Sequence, residues 1–202
     1  MVPTRERIID AAEKLMREKG YAHATTKEIA KAADCSEATL YKHFEDRTDI
    51  FLAVLTLRLP DLGFHLDNLI AKAGSGTVRA NLMLVADSAL RFYLESFPIA
   101  MSLFSSRALL DAHRAKLKLR EMTPRYPNNQ LAEYLGAEQS QGRLRRTFDP
   151  DAAASLLLGA CFQTAFFATF DDQPPDDAVI EHLAGQLVKA LLENLRPTKE
   201  TR

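Results

Sequence analysis

The sequence has no tryptophan, only two cysteines and no surplus of either charge. Cys35 and Cys161 stand far apart, so they form neither a disulfide framework nor a zinc cluster, and lone thiols suit a reducing compartment. Lys and Arg number 26 against 27 Asp and Glu, a net charge of −1. That balance excludes a histone-like or polybasic protein but leaves room for a nucleic-acid binder whose positive charge is local. No alternating strand pattern, internal repeat or low-complexity tract is present. Met1–Arg7 lacks the apolar core of a secretory signal, so a cytoplasmic location is expected. The longest apolar run, Ala152 to Phe170, approaches membrane-crossing length. It is rich in alanine, carries Gln163 and stands alone, which favours a helix covered on both sides over a membrane contact.

Catalytic chemistry is missing as well. The histidines (His23, His43, His65, His113 and His182) show no i, i+4 pairing and no Glu-x-x-His arrangement, so no metal site is expected. Gly74-Ser75-Gly76 is too short for a phosphate loop, and no Gly-x-Ser-x-Gly elbow occurs. Neither an enzyme nor a cofactor is expected.

What is there is helical periodicity, in a chain 47% apolar and so well able to build a core. Ile8, Ala12, Leu15 and Met16 mark one face from Thr4 to Lys19, and Gly20 stops that helix. Thr25 and Glu28 read as a capping box opening a short helix, Asp34-Cys35 as a turn, and Ser36 as the next cap. Leu40 and Phe44 are apolar at i, i+4, and Asp46 opens a helix that Pro60 ends. Longer helices are expected over 61–73, 77–96, 98 to about 121, 130–141, 150–170 and 178–195, with a loop over 123–129. The expected fold is all-α. It has a three-helix, helix-turn-helix domain over 1–46 and a larger helical domain over 47–202, and the helix from Arg47 belongs mechanically to both.

Two short helices joined by a tight turn, with a third able to pack across them, follow the helix-turn-helix plan of DNA-binding proteins. The stretch Thr26-x-x-Ile29-Ala30-x-x-Ala33-x-x-Ser36-x-x-Thr39-Leu40-Tyr41-x-His43-Phe44-x-x-Arg47 resembles the TetR family of bacterial transcription regulators. Asp34 and Cys35 stand where similar proteins carry Gly and Val; Ala38 often has Gly in its place, and Glu37 a basic or small residue. The resemblance implies DNA contacts from Thr25, Thr26, Lys27, Ser36, Glu37, Ala38, Thr39, Tyr41, Lys42, His43 and Arg47. The first fifty residues hold nine basic and ten acidic side chains, so affinity for DNA has to come from their placement.

The resemblance also implies a homodimer joined through the last two long helices, with Leu158, Phe162, Phe167, Leu187 and Leu191 in the seam. A deep core within one chain is the competing reading of those residues. It further implies an effector cavity among the middle helices, for which Phe64, His65, Phe92, Phe97, Met101, Phe104 and Gln163 are candidates, with Arg91, Arg107 and His113 as further polar choices. These lack a dense charge cluster, which points to a small, mostly apolar ligand. The implied function is a repressor on a palindromic double-stranded DNA operator, released by that ligand. Two alternatives stay open: a DNA-binding protein acting through protein partners, and a helical binding protein or enzyme whose helix-turn-helix is only structural.

Overall fold

Side chains that cap the backbone open the helices where the sequence placed them. Thr25 accepts from the Glu28 amide at 3.2 Å, Ser36 from Thr39 at 3.1 Å, and Asp46 from Asp49 at 2.8 Å. Each supplies one amide that the first turn would otherwise leave unpaired. The computed structural model describes Val2–Leu59, Leu62–Leu119 and Thr123–Leu195, without the side chains of residues 63–65. Among these residues there is no strand. The helices run in the order α1 (Thr4–Lys19), α2 (Thr26–Ala32), α3 (Glu37–Leu40), α4 (Arg47–Leu57), α5 (Leu62–Asp67), α6 (Val78–Ala100), α7 (Arg107–Leu119), α8 (Tyr126–Ser140), α9 (Pro150–Phe170) and α10 (Asp177–Leu195).

The middle of the chain departs from the expected pattern in four places. One is the helix expected from 98 to about 121, which gives way to a 3₁₀ segment at Met101–Ser105 and an extended Ser106 before α7 starts at Arg107. The helix expected over 61–73 is broken: the Leu69 amide bonds to Leu66 O at 2.9 Å, and a 3₁₀ turn follows at Ile70–Lys72. Tightening the chain here lets Leu62, Leu66 and Leu69 all reach the core. The break expected before Pro98 is absent, because α6 runs on to Ala100. A proline so near a helix end removes few backbone bonds, and the burial of Phe97 and Ile99 on either side holds the turn. Finally, α8 begins inside the expected loop at Tyr126, with Pro127 in its first turn, where a missing amide costs nothing.

The chain divides into two compact units. The first takes in Met1–Pro60 and Glu95–Met122. Its core gathers Ile8, Ile9 and Met16 of α1, Ile29 of α2, Leu40, Phe44, Ile50 and Phe51, together with Ile99 and Leu109. The compact body is therefore larger than the segment over 1–46 read from sequence, since α4 shares its core. Arg58, at the end of α4, is tied to α1 by Glu6 at 2.6 Å and Asp10 at 2.8 Å.

The second unit takes in Asp61–Leu94 and Thr123–Arg202. Leu82, Leu90, Leu131, Tyr134, Leu135, Leu157, Val188 and Leu192 lie at its centre. A polar cluster is buried beside them. Glu138 is fully buried and accepts from the Gly74 amide at 3.2 Å, while Arg143 Nε stands 3.1 Å from its other oxygen, close but not aligned as a hydrogen bond. Arg143 also donates to Gly76 O at 2.7 Å, and Asn81 donates to the Tyr134 hydroxyl at 3.0 Å. Gly74 has a φ of 82°, and a Cβ there would collide with the Gln141 side chain. Burial pushes the Tyr134 hydroxyl up to about 12. Removing one partner of a buried ion pair strands the other, so Glu138→Ala is expected to lower the unfolding free energy by roughly 3 kcal/mol. Glu138→Gln, which retains an acceptor for Gly74, should lose less; urea denaturation of the two variants measures both.

Candidate nucleic-acid interface

The reversal between α2 and α3 is built from two backbone bonds and one unusual dihedral. Asp34 takes the left-handed conformation at φ 50°. Its amide returns to Lys31 O at 3.3 Å, and the Cys35 amide to Ala30 O at 3.0 Å. A helix ends this way when its chain folds back over the last turn, and the residue at the reversal must be left-handed. Aspartate tolerates that backbone better than most side chains, so the turn forms without the glycine of similar proteins.

Helix α3 is four residues long and continues as turns through His43. Leu40 is fully buried and Phe44 nearly so, which pins one side of the segment into the first unit's core. Ala38 and Lys42 recur at i, i+4 on the opposite side, with Glu37 and Tyr41 along its edge, and all four are exposed. His43 is exposed beside them. This outward face is what a recognition helix needs: a rigid back and side chains of several chemistries in front.

The other residues read as DNA contacts are more engaged with the protein itself. Thr25 and Lys27 are exposed, Thr25 also capping α2, and Ser36 and Thr39 share a bond between their hydroxyls at 2.9 Å. Thr26 is half-buried; its hydroxyl donates to Glu37 Oε2 at 3.1 Å and accepts from the Tyr41 hydroxyl at 3.4 Å. Arg47 stands apart from the α3 face. Its guanidinium lies 4.1 Å above the Tyr21 ring and donates to Ala22 O at 3.3 Å, which ties the start of α4 to the 3₁₀ turn at Tyr21–His23. The spacing of Tyr21 and Arg47 carries no signal of this pairing, because only the folded core brings the two segments together.

The candidate effector residues do not gather in one place. Phe64 and His65 lie outside the described side chains. Phe92 packs at the edge of the second unit's core against Tyr93, at 5.3 Å between ring centres, and Tyr93 meets Phe162 at the same distance. Phe97, Met101 and Phe104 fall in the first unit, Phe97 buried but Met101 and Phe104 exposed. Gln163 is exposed on α9. Arg91 is neutralised by Asp87 at 2.9 Å and Asp177 at 2.6 Å, and Arg107 is exposed. His113 is held below the usual histidine range by burial and then by Lys116. Cys161, buried against the Ala86 carbonyl, has its thiol pushed up to about 12 by burial and is no nucleophile near neutral pH.

The seam candidates divide between two faces. Leu158 and Leu191 are buried in the chain's own core, Leu187 is half-buried, and Phe162 and Phe167 are exposed. Helix α9 is the one described helix long and apolar enough to cross a membrane. Its inner face (Ala153, Ala154, Leu157, Leu158, Cys161, Ala165) packs in the core, while Leu156, Phe162, Phe166, Phe167 and Phe170 stay exposed on the outer one. The helix expected to be covered on both sides is thus covered on one within a single chain. Beside it, Leu156, Ala160, Leu187, Ala190 and Leu191 line an apolar groove shared with α10.

Residues 8–54, from within α1 to most of α4, match the sequence model of the tetR family of bacterial regulatory proteins. This region belongs to the TetR family. The chain is 42% identical over 67 residues to the uncharacterised helix-turn-helix regulator YvkB of Bacillus subtilis, across 33% of this chain and 35% of that one. To the regulator TcmR of Streptomyces glaucescens it is 30% identical over 151 residues, across 71% of this chain and 58% of the relative. The chain thus spans about a third of YvkB and under three fifths of TcmR. The fold extends further than these matches. The solved structure of FadR from Bacillus subtilis in complex with stearoyl-CoA superposes over 93% of this chain and 97% of its own, with a TM-score of 0.67 at 21% identity. Both units therefore have counterparts of the same all-helical fold.

Proposed function

We propose that this chain is a transcription regulator, a repressor that binds a palindromic DNA operator as a homodimer and releases it when a small, mostly apolar ligand binds. The carrying observation is the α2–α3 pair, anchored by Leu40 and Phe44 and open at Ala38, Tyr41, Lys42 and His43. In this reading residues 1–46 bind DNA and residues 47–202 bind the effector and dimerise. Helix α3 lies in the major groove with Ala38 and Thr39 at base edges, while Thr25, Lys27, Tyr41 and Lys42 hold phosphates. Such a protein needs no catalysis and no cofactor, and it works in the cytoplasm.

The uncovered phenylalanines of α9 support a second copy of the chain as partner, because apolar patches of this kind on a soluble surface mark association sites. For the effector, the support is the apolar middle of the chain and the FadR neighbour, whose solved structure holds stearoyl-CoA. Release then needs only a ligand whose affinity differs between the DNA-bound and free states.

Three outcomes test this. Lys42→Ala should weaken binding to every duplex alike and reduce the slope of log affinity against log salt by about 1, read by fluorescence anisotropy over a salt series. Phe167→Glu should shift the protein towards monomer in light scattering at micromolar concentration, since the seam would have to bury an unpaired charge. Effector and operator should weaken each other by the same factor, roughly 5- to 150-fold. Titrating the ligand with and without operator measures that coupling, and equal affinities in the two titrations would remove the induction mechanism while leaving the DNA-binding reading in place.

A further inference from the structure

An acid on a surface meant for DNA is out of place, and Glu37 is one. It sits at the first position of α3, exposed, beside Ala38 in the chain and one turn before the exposed Tyr41. Each phosphate repels it, so at this position it weakens binding unless some group on the duplex compensates. An ionised carboxylate can only accept hydrogen bonds. In the major groove it can therefore face the exocyclic amines but not the acceptor edges of guanine or the O4 of thymine. Adenine offers its amine beside an N7 acceptor that repels the second carboxylate oxygen, whereas cytosine offers its N4 amine without such a neighbour on the same base.

Glu37 is also held in place. Thr26, from the start of α2, donates to Oε2 at 3.1 Å, and the same hydroxyl accepts from Tyr41 at 3.4 Å. Thr26, itself held by Tyr41, thus reaches Glu37 from a separate helix and engages one oxygen, with Oε1 left to accept from a base. A side chain already ordered loses less entropy when it docks than one free in solvent.

We infer that Glu37 is a specificity-determining residue that reads the N4 amine of a cytosine in each half-site, with Thr26 as its positioning residue. This rests on the DNA-binding reading above. It adds a base identity to that surface, and it makes Thr26 a support for base readout in place of the direct DNA contact that the resemblance implies.

The test is selection of bound sequences from a randomised duplex pool by the full-length wild type, Glu37→Ala, Glu37→Gln and Thr26→Val, followed by anisotropy titrations on the selected duplex and its single-base variants at fixed salt. Wild type should select a C·G pair at one symmetric position in each half-site, and replacing that pair should weaken binding by about 5- to 150-fold per half-site. Glu37→Ala should lose discrimination at that position alone, while binding random duplex more tightly because a repulsive charge is gone. Glu37→Gln should move the preference towards adenine, whose N6 and N7 a glutamine amide can engage together. Thr26→Val should broaden the same position without a change in helical circular dichroism or melting temperature. A Glu37→Ala protein that shifts affinity equally on all sequences, or loses preference at several positions at once, overturns the assignment while the DNA-binding reading stands. A wild type with no sequence-selective duplex binding overturns both.

Discussion

The candidate interface depends on the burial of two side chains, Leu40 and Phe44. A helix of four residues cannot hold itself together in water, since nucleation costs more than so few bonds return. What makes α3 a fixed object is the apolar anchorage of its back against α1, α2 and α4. Burying side chains of this size contributes on the order of 2 kcal/mol each. Everything outward, from the placement of Tyr41 and Lys42 to the hold of Thr26 on Glu37, inherits its precision from that anchorage. The left-handed Asp34 serves the same end, because it lets α3 turn back over α2 early enough for Leu40 to reach the core.

The two units answer the problem of a helical protein differently. In the first, short helices are fixed by caps, a fold-back turn and long-range polar ties such as Arg58 to Glu6 and Asp10 and Arg47 to Tyr21. In the second, long helices supply enough apolar area to make a core directly, and one buried polar cluster around Glu138 fastens the 74–76 turn to the end of α8. Helix α9 exceeds what its own core requires. It is apolar around its circumference, yet the chain covers only one side. That surplus is the physical basis for assigning it a partner.

Much of this was legible in the sequence because it is local. Caps, a glycine stop and a proline at a helix start act within a few residues, so α1 over Thr4–Lys19 and α9 over Pro150–Phe170 fall where the periodicity placed them. The turn at Asp34 and the outward face of α3 follow from the same short-range rules. Where tertiary packing outweighed local preference, the reading failed: α5 yields to a 3₁₀ turn so that Leu69 can be buried, and α6 passes through Pro98 because Phe97 and Ile99 hold it.

The sequence by itself determined the all-helical class, the helix-turn-helix motif and the exposed side chains of its second helix, because helical period, capping and turn chemistry are encoded at neighbouring positions. Only the tertiary structure decided which apolar residues face inward on a helix that is apolar all round. It turned Leu158 and Leu191 into the core and left Phe162 and Phe167 outside. It likewise decided that Arg47 caps an aromatic ring and that Thr26 holds Glu37. Those pairings join residues distant in sequence or on separate helices, and no periodicity records them; they exist because burial of the core brings the backbones together.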